Sequence, residues 1–195
     1  MGFSHSWIAI QGLASERAIE ALGMEVEEEC APEDVTGDGL YLGIAPNGWL
    51  IALTDRRANA FEDGLADLAK FGPAVACEIN ERVMYSEARG YDGGSESWRV
   101  VYDCEEGPDA LRVTGNPPAQ FSEIRHKAET EQEAEGGEDA DVDVLFDIPA
   151  LLARSICGFM LGECEPEGFR YIKLRRIGSE PERRPGFFAR LFGWS

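Results

Sequence analysis

AVACEINERVMYSEARGYDGGSESWRVVYDCEEGPDALRVT, residues 74–114, is the stretch that decides the fold. Apolar residues in it alternate with polar or small ones, which predicts strands with one buried face. Turn-forming residues separate these segments at 80–81, 91–95 and 105–108, and each break is short enough to reverse the chain. We therefore predict an antiparallel meander against which the rest of the chain packs.

Further strands are predicted on both sides of this meander. The pair Asn47-Gly48 lies between two apolar runs, which is the strongest short-range signal for a hairpin. The segments outside the meander that have strand patterns are residues 7–11, 40–44, 49–53 and 169–174. Together with the meander, they predict a sheet of about six to eight strands.

Four segments show apolar residues at helical spacing. They are residues 16–22, 58–71, 118–135 and a segment that begins near Asp147. The apolar stripe of 118–135 is narrow, which predicts weak packing for that helix. The predicted fold class is α+β, a largely antiparallel twisted sheet with the helices near Ser15, Ala58 and Asp147 packed mainly on one face.

The length and composition of the chain favour one domain. The chain has 195 residues, of which 44% are hydrophobic, enough for a core of its own. We predict a single domain over residues 1–177 and a basic, aromatic tail over 178–195. No run of about 18 apolar residues could span a bilayer, and residues 1–7 do not resemble a secretory signal, so the expected location is the cytoplasm.

Five cysteines, an odd number without any C-x-x-C spacing, predict reduced thiols packed in the core rather than a disulfide framework.

Charge is the strongest compositional signal. The formal net charge is −19, and residues 1–167 carry 35 acidic and 11 basic residues, whereas residues 168–195 carry 2 acidic and 7 basic. A surface this negative disfavours binding to nucleic acid and to anionic lipid. It attracts a basic protein partner, or it serves only for solubility.

Two segments concentrate the acidic residues. Residues 25–38 contain seven acidic residues and residues 129–147 contain nine, and neither segment contains a basic residue. The first is predicted to be an exposed loop, and in the second Gly136-Gly137 interrupts the predicted helix and a mobile acidic loop is expected to follow. The candidate partner-binding residues are Glu27, Glu28, Glu29, Asp34, Glu138, Asp139, Asp141 and Asp143.

A metal site is not expected. The spacing Asp139-x-Asp141-x-Asp143 begins like a calcium loop, but Val144 replaces the required glycine and Ala150 replaces the bidentate glutamate. The two histidines of the chain lack the spacing of zinc ligands. We therefore predict no metal and no cofactor.

No catalytic signature is present either. The sequence contains neither a G-x-S-x-G elbow nor a phosphate-binding G-x-x-x-x-G-K-[ST] loop. An enzyme, such as a hydrolase, would need a site assembled from distant residues, for example His5 or His126 beside a cysteine or carboxylate. This remains an alternative hypothesis, and its catalytic residues are unknown.

The C-terminal tail supports a third hypothesis. Five large apolar residues lie near arginines there, as in a segment that docks in a groove or on an anionic surface. The candidate anchor residues are Phe187, Phe188, Leu191, Phe192 and Trp194. On this hypothesis the protein is an adaptor that is recruited through its tail.

Several segments resemble a group of small acidic bacterial proteins of unassigned function. They are residues 7–12 (WIAIQG), 143–149 (DVLFDIP), 151–153 and 158–159. In size and charge the chain is also similar to immunity proteins that neutralise bacterial toxins. The resemblance implies no activity and no site residue. The leading hypothesis is a non-enzymatic cytoplasmic protein that engages a basic protein partner, in the manner of an immunity-type inhibitor.

Overall fold

One antiparallel sheet of nine strands organises the described part of the molecule. The computed structural model describes residues 4–35, 39–45, 47–54, 64–137, 140, 142–161 and 169–178. The strands are β1 Ser4–Gln11, β2 Met24–Cys30, β3 Leu40–Ile44, β4 Trp49–Thr54, β5 Ala74–Asn80, β6 Tyr85–Asp92, β7 Ser95–Asp103, β8 Leu111–Gly115 and β9 Tyr171–Arg176. Their order is β2-β9-β3-β4-β1-β5-β6-β7-β8. The predicted α+β fold class is confirmed.

The local turn signals identified the hairpins of this sheet. Strands β5 to β8 form the predicted meander, each paired with its neighbour in sequence. Gly48 has a φ of +84° in the turn between β3 and β4, a conformation that glycine adopts without strain. The side chain of Asn47 donates a hydrogen bond of 2.7 Å to the carbonyl oxygen of Cys157, which ties this hairpin to a helix.

In the described ranges, three α-helices accompany the sheet. They are α1 Ser15–Leu22, α2 Gln120–Ala134 and α3 Ile148–Cys157. Short 3-10 helices cover Pro32–Asp34, Leu65–Phe71, Cys104–Asp109 and Val144–Asp147. Helices α1 and α3 end at Gly23 and Gly158, whose positive φ angles stop a helix. Among the described residues, no helix is both long and apolar enough to cross a membrane.

The helices divide between the two faces of the sheet. Helices α2 and α3 pack on the face that contains Trp7 and Val100, whereas α1 and the 3-10 helix Leu65–Phe71 pack on the face that contains Ile8 and Ile10. The central strand β1 is the reason, because its apolar side chains are buried on both faces. The arrangement therefore has helices on both faces, rather than mainly on one.

The segment predicted as an acidic loop from residue 25 to residue 38 begins with strand β2, so the loop prediction is wrong over residues 25–30. Strand β2 lies at the edge of the sheet and pairs with the basic strand β9. Glu25 lies 3.1 Å from Arg175, and Glu27 lies 3.3 Å from Lys173. These cations offset the repulsion between the glutamates, and they come from the far end of the chain.

Three cysteines agree with the prediction of reduced thiols in the core. Cys30, Cys77 and Cys157 are buried, reduced thiols. Cys104 is also a reduced thiol, but it is exposed.

Candidate functional site

Carboxylates collect at one end of the sheet, where the meander turns. The turn between β5 and β6 and the 3-10 helix between β7 and β8 lie at this same end, because neighbouring strands are antiparallel. The acidic residues of these two connections, with the last residue of β7, are Glu81, Asp103, Glu105, Glu106 and Asp109. The connections leave their side chains near the solvent rather than in either apolar core.

Asp143, one of the predicted partner-binding residues, is joined to this end by Tyr102. The hydroxyl of Tyr102 donates a hydrogen bond to the carboxylate of Asp143. Burial, followed by this hydrogen bond and the charge of Asp143, raises the pKa of Tyr102, so the hydroxyl stays protonated. A second connection fixes the same segment, because the Ser86 hydroxyl donates to the carbonyl oxygen of Phe146 at 2.6 Å.

The side chain of Gln132 joins α2 to the same segment. Its amide nitrogen donates to the carbonyl oxygens of Gly137 at 2.9 Å and Val142 at 3.1 Å. Its amide oxygen accepts a hydrogen bond of 2.8 Å from the backbone nitrogen of Val144. The C-terminal turns of α2 are thereby held against the chain that leads to Asp143.

Replacing Gln132 with alanine should lower the free energy of unfolding by about 1–2 kcal/mol, because two half-buried hydrogen bonds and one exposed hydrogen bond are lost. The backbone amide of Val144 should also exchange its hydrogen faster, since it loses its acceptor. Denaturant unfolding and amide exchange measure the two effects. Q120A, which removes an exposed glutamine at the start of the same helix, is the matched control. Unchanged exchange at Val144 would show that Gln132 does not hold this segment.

The C-terminal turns of α2 carry an acidic surface that helix stability does not explain. Glu129, Glu131, Glu133 and Glu135 are exposed, and the last turn contains no basic residue. Negative charge is unfavourable at the C-terminal end of a helix dipole. Like charges four residues apart, such as Glu129 and Glu133, are also unfavourable. The charge at this end of α2 therefore opposes helix formation instead of supporting it.

We call the carboxylates that these contacts bring together the acidic end. Its residues are Glu81, Asp103, Glu105, Glu106, Asp109, Glu129, Glu131, Glu133, Glu135 and Asp143. Two of them are partly neutralised, because Arg112 lies 2.9 Å from Glu106 and Arg125 lies 2.7 Å from Glu129. Such exposed pairs are weak and are screened by salt, so most of the negative charge remains available.

The other predicted partner-binding residues lie elsewhere. Glu27, Glu28 and Glu29 belong to β2, at the opposite side of the sheet from the meander, and Asp34 is exposed in a 3-10 helix. Glu29 forms an ion pair of 2.8 Å with Arg170. The candidates that fall outside the described residues are Glu138, Asp139, Asp141, Phe187, Phe188, Leu191, Phe192 and Trp194.

A second feature, which the sequence analysis missed, is a polar patch on the α1 side of β1, β5, β6 and β7. We call it the polar face, and its residues are Ser6, Glu78, Tyr85, Glu87, Arg89 and Arg99. On the opposite side of β6, toward α3, the residues are small. A Cβ atom on Gly90 would overlap the indole of Trp98 there. The alternation of β6 thus places its small residues under the helix and its long polar residues on the other face.

Glu87 is the centre of the polar face and is only 1% exposed. Arg99 contacts its carboxylate through Nε at 2.6 Å and Nη2 at 3.0 Å, and the Arg89 guanidinium and the Tyr85 hydroxyl also donate to it. Burial disfavours the carboxylate, but these hydrogen bonds outweigh burial and lower the pKa of Glu87. Burial and the bond to Glu87 raise the pKa of Tyr85 to about 12.

Glu78 lies directly opposite Glu87 on the neighbouring strand, and Ser6 lies opposite Glu78 on the other side. Burial, and next the negative charge of Glu87, raise the pKa of Glu78, although Arg89 and Arg99 act in the opposite direction. The two carboxyl groups therefore differ, since Glu87 is held in its charged form and Glu78 resists ionisation.

The sequence carried a signal for the polar face. Glu87 and Arg89 are two residues apart in a segment with strand alternation, so they share one face of β6, and Arg99 lies opposite Arg89 on β7. Charged residues in the interior of central strands require partners. The apolar alternation of the meander predicts its strands but does not show where these charges pair.

The alternative hypothesis of an enzyme named two histidines. His5 is buried in β1, and His126 is exposed on α2. In the described ranges, no group of three or more His, Cys, Asp or Glu side chains is placed to hold a metal ion. Comparisons of the chain with protein-family models, with curated proteins and with solved structures found no match.

Proposed function

We propose that this protein binds a basic protein partner through the acidic end, without catalysing a reaction. One observation carries the proposal. Tyr102 and Gln132 bring carboxylates from three separate parts of the chain to one end of the sheet. Residues 81–84, 103–110, 129–135 and 143 contain ten carboxylates and one basic residue, Arg82, while Arg112 and Arg125 lie outside these stretches and pair with two of the carboxylates. A surface with this excess of one sign attracts a partner of the opposite sign.

The glutamates in the C-terminal turns of α2 lower the stability of the helix, and this loss supports a role in binding. The glutamates in the last turns of α2 oppose the helix dipole and repel one another. Features that break a local rule without a compensating gain in stability are typical of functional surfaces. An immunity-type inhibitor in the cytoplasm is the form of this function that we propose, in which the acidic end covers a positively charged active site of the partner.

Charge reversal in α2 tests this function. The variant E131K/E133K/E135K should lose a basic partner that the wild-type chain retains when tagged protein is captured from its native host at low salt. The control E16K/D67K/D92K makes the same change in net charge at exposed residues outside the acidic end, and it should retain the partner. With the purified partner, the association rate should fall about tenfold to a thousandfold from low to high salt. Capture of no basic partner, or equal loss in both variants, would contradict the proposal.

A further inference from the structure

The polar face contains one carboxylate, that of Glu78, which the arginines of this face do not contact. Both guanidinium groups, those of Arg89 and Arg99, bond to Glu87. Glu78 is half-buried beside them and forms no ion pair or hydrogen bond within the described part of the chain. The nearest side chain in register on its other side is the neutral Ser6.

A further cation at Glu78 would be favourable, because the charge of Glu87 acts against the ionised form of Glu78. Two carboxylates directly opposite each other on neighbouring strands repel. For Glu87 the two arginines more than offset that repulsion, but they do not contact Glu78. A guanidinium or ammonium group placed at Glu78 would remove the repulsion and would pair with a carboxylate that is partly shielded from water, where such a pair is stronger than at an exposed position.

The polar face is continuous with the acidic end. Glu78 and Glu81 are three residues apart, which is about 10 Å along a strand. The residues between them in the sheet are polar as well, since Asn80 lies opposite Tyr85 and Tyr85 lies opposite Asp103. A partner held at the acidic end can therefore extend a side chain to Glu78.

We propose that Glu78 is the anchor site for one arginine or lysine side chain of the basic partner. This inference rests on the proposed function and names the residue that receives the partner's cation. The acidic end attracts the partner over a distance, and Glu78 fixes one of its side chains on the polar face.

The anchor makes binding depend on pH. The titratable and charged groups around Glu78 are Glu87, Arg89 and Arg99, with Tyr85 in the same network. Because Glu78 resists ionisation in the free protein, a bound cation must displace a proton from it in mildly acidic solution. Affinity should therefore rise with pH until Glu78 is fully ionised.

The probe is a hexa-arginine amide peptide at low salt. The peptide is titrated into the isotope-labelled full chain, and NMR follows the side-chain carboxyl signal of Glu78. The peptide should lower the pKa of Glu78. The variant E78Q should bind the peptide about tenfold more weakly and should lose the pH dependence. E96Q, which makes the same charge change beside Arg89, is the matched control and should bind like the wild type.

Stability separates a folding defect from loss of the anchor. Since the pKa of Glu78 is raised on folding, ionised Glu78 lowers stability at neutral pH, and E78Q should melt no lower than the wild type there. A lower melting temperature of E78Q at neutral pH would overturn the premise. Peptide binding that is weakened by E131K/E133K/E135K but unchanged by E78Q would overturn the anchor and leave the proposed function standing. No binding by the wild type would count against both.

Discussion

Replacement of Glu87 with alanine should lower the free energy of unfolding by about 3–5 kcal/mol. The carboxylate is buried and is shared by two guanidinium groups and one tyrosine hydroxyl. Its removal leaves Arg89 and Arg99 facing each other across two strands without their common counter-ion. The side chains of Arg89 and Arg99 are 22% and 37% exposed, so water offsets part of the penalty and places the loss toward the lower end of this range.

Denaturant unfolding at neutral pH measures this loss. E129A removes the acidic partner of an exposed ion pair on α2 and should cost no more than about 0.5 kcal/mol, which makes it the matched control. The triple variant E87L/R89L/R99L should recover much of the stability, because a buried charge network can be replaced by apolar residues without a large penalty. If E87A were no more destabilising than E129A, the network would not be a stabilising element of the sheet.

The parts of the fold that the sequence predicted are those with local causes. The meander from β5 to β8 and the hairpin of β3 and β4 follow from short turns between alternating segments, and their pairing partners are adjacent in sequence. The ends of α1 and α3 follow from single glycines in a left-handed conformation. Each of these signals lies within a few residues of the structure it specifies.

Strand β2 could not be predicted from the residues near it in sequence. Its glutamates look like a solvated loop, because nothing near them in sequence neutralises their charge. The basic residues that do so lie in β9 or, for Arg170, directly before it, and Glu29 and Arg170 are 141 residues apart. Only the pairing of these two strands makes the pattern favourable. The distribution of the helices was also obscured, although the run from Trp7 to Ile10 is apolar on both sides and therefore requires a layer on each face.

The candidate site also combines features that the sequence predicts with features that depend on tertiary contacts. The excess of acidic residues is visible in the sequence, and Asp143 was among the predicted binding residues. Its place beside the meander depends on Tyr102, which is 41 residues away. The glutamates of α2 join it through Gln132, whose role cannot be inferred from spacing alone. The sequence therefore predicted the chemistry of the surface, whereas its assembly required the tertiary contacts.

His5 should make the folded protein sensitive to acid. Burial lowers the pKa of His5 from 6.5 to about 4, against a smaller opposing effect of the charge of Glu81. Below pH 6.5 the unfolded chain binds a proton at His5 that the folded protein accepts only near pH 4. The unfolded state then holds more protons, so stability falls as the pH falls through this window. The gap between the two pKa values corresponds to about 3 kcal/mol.

The variant H5F should remove this part of the acid sensitivity. Between about pH 7 and about pH 4, the wild type should lose about 3 kcal/mol more of its free energy of unfolding than H5F does. Urea unfolding at a series of pH values measures the difference. The contributions of the other titratable groups cancel, because both proteins contain these groups. E81Q, which leaves His5 in place, should keep the steep loss of the wild type. Parallel curves for the wild type and H5F would mean that His5 is readily protonated in the folded state, which its 4% exposure argues against.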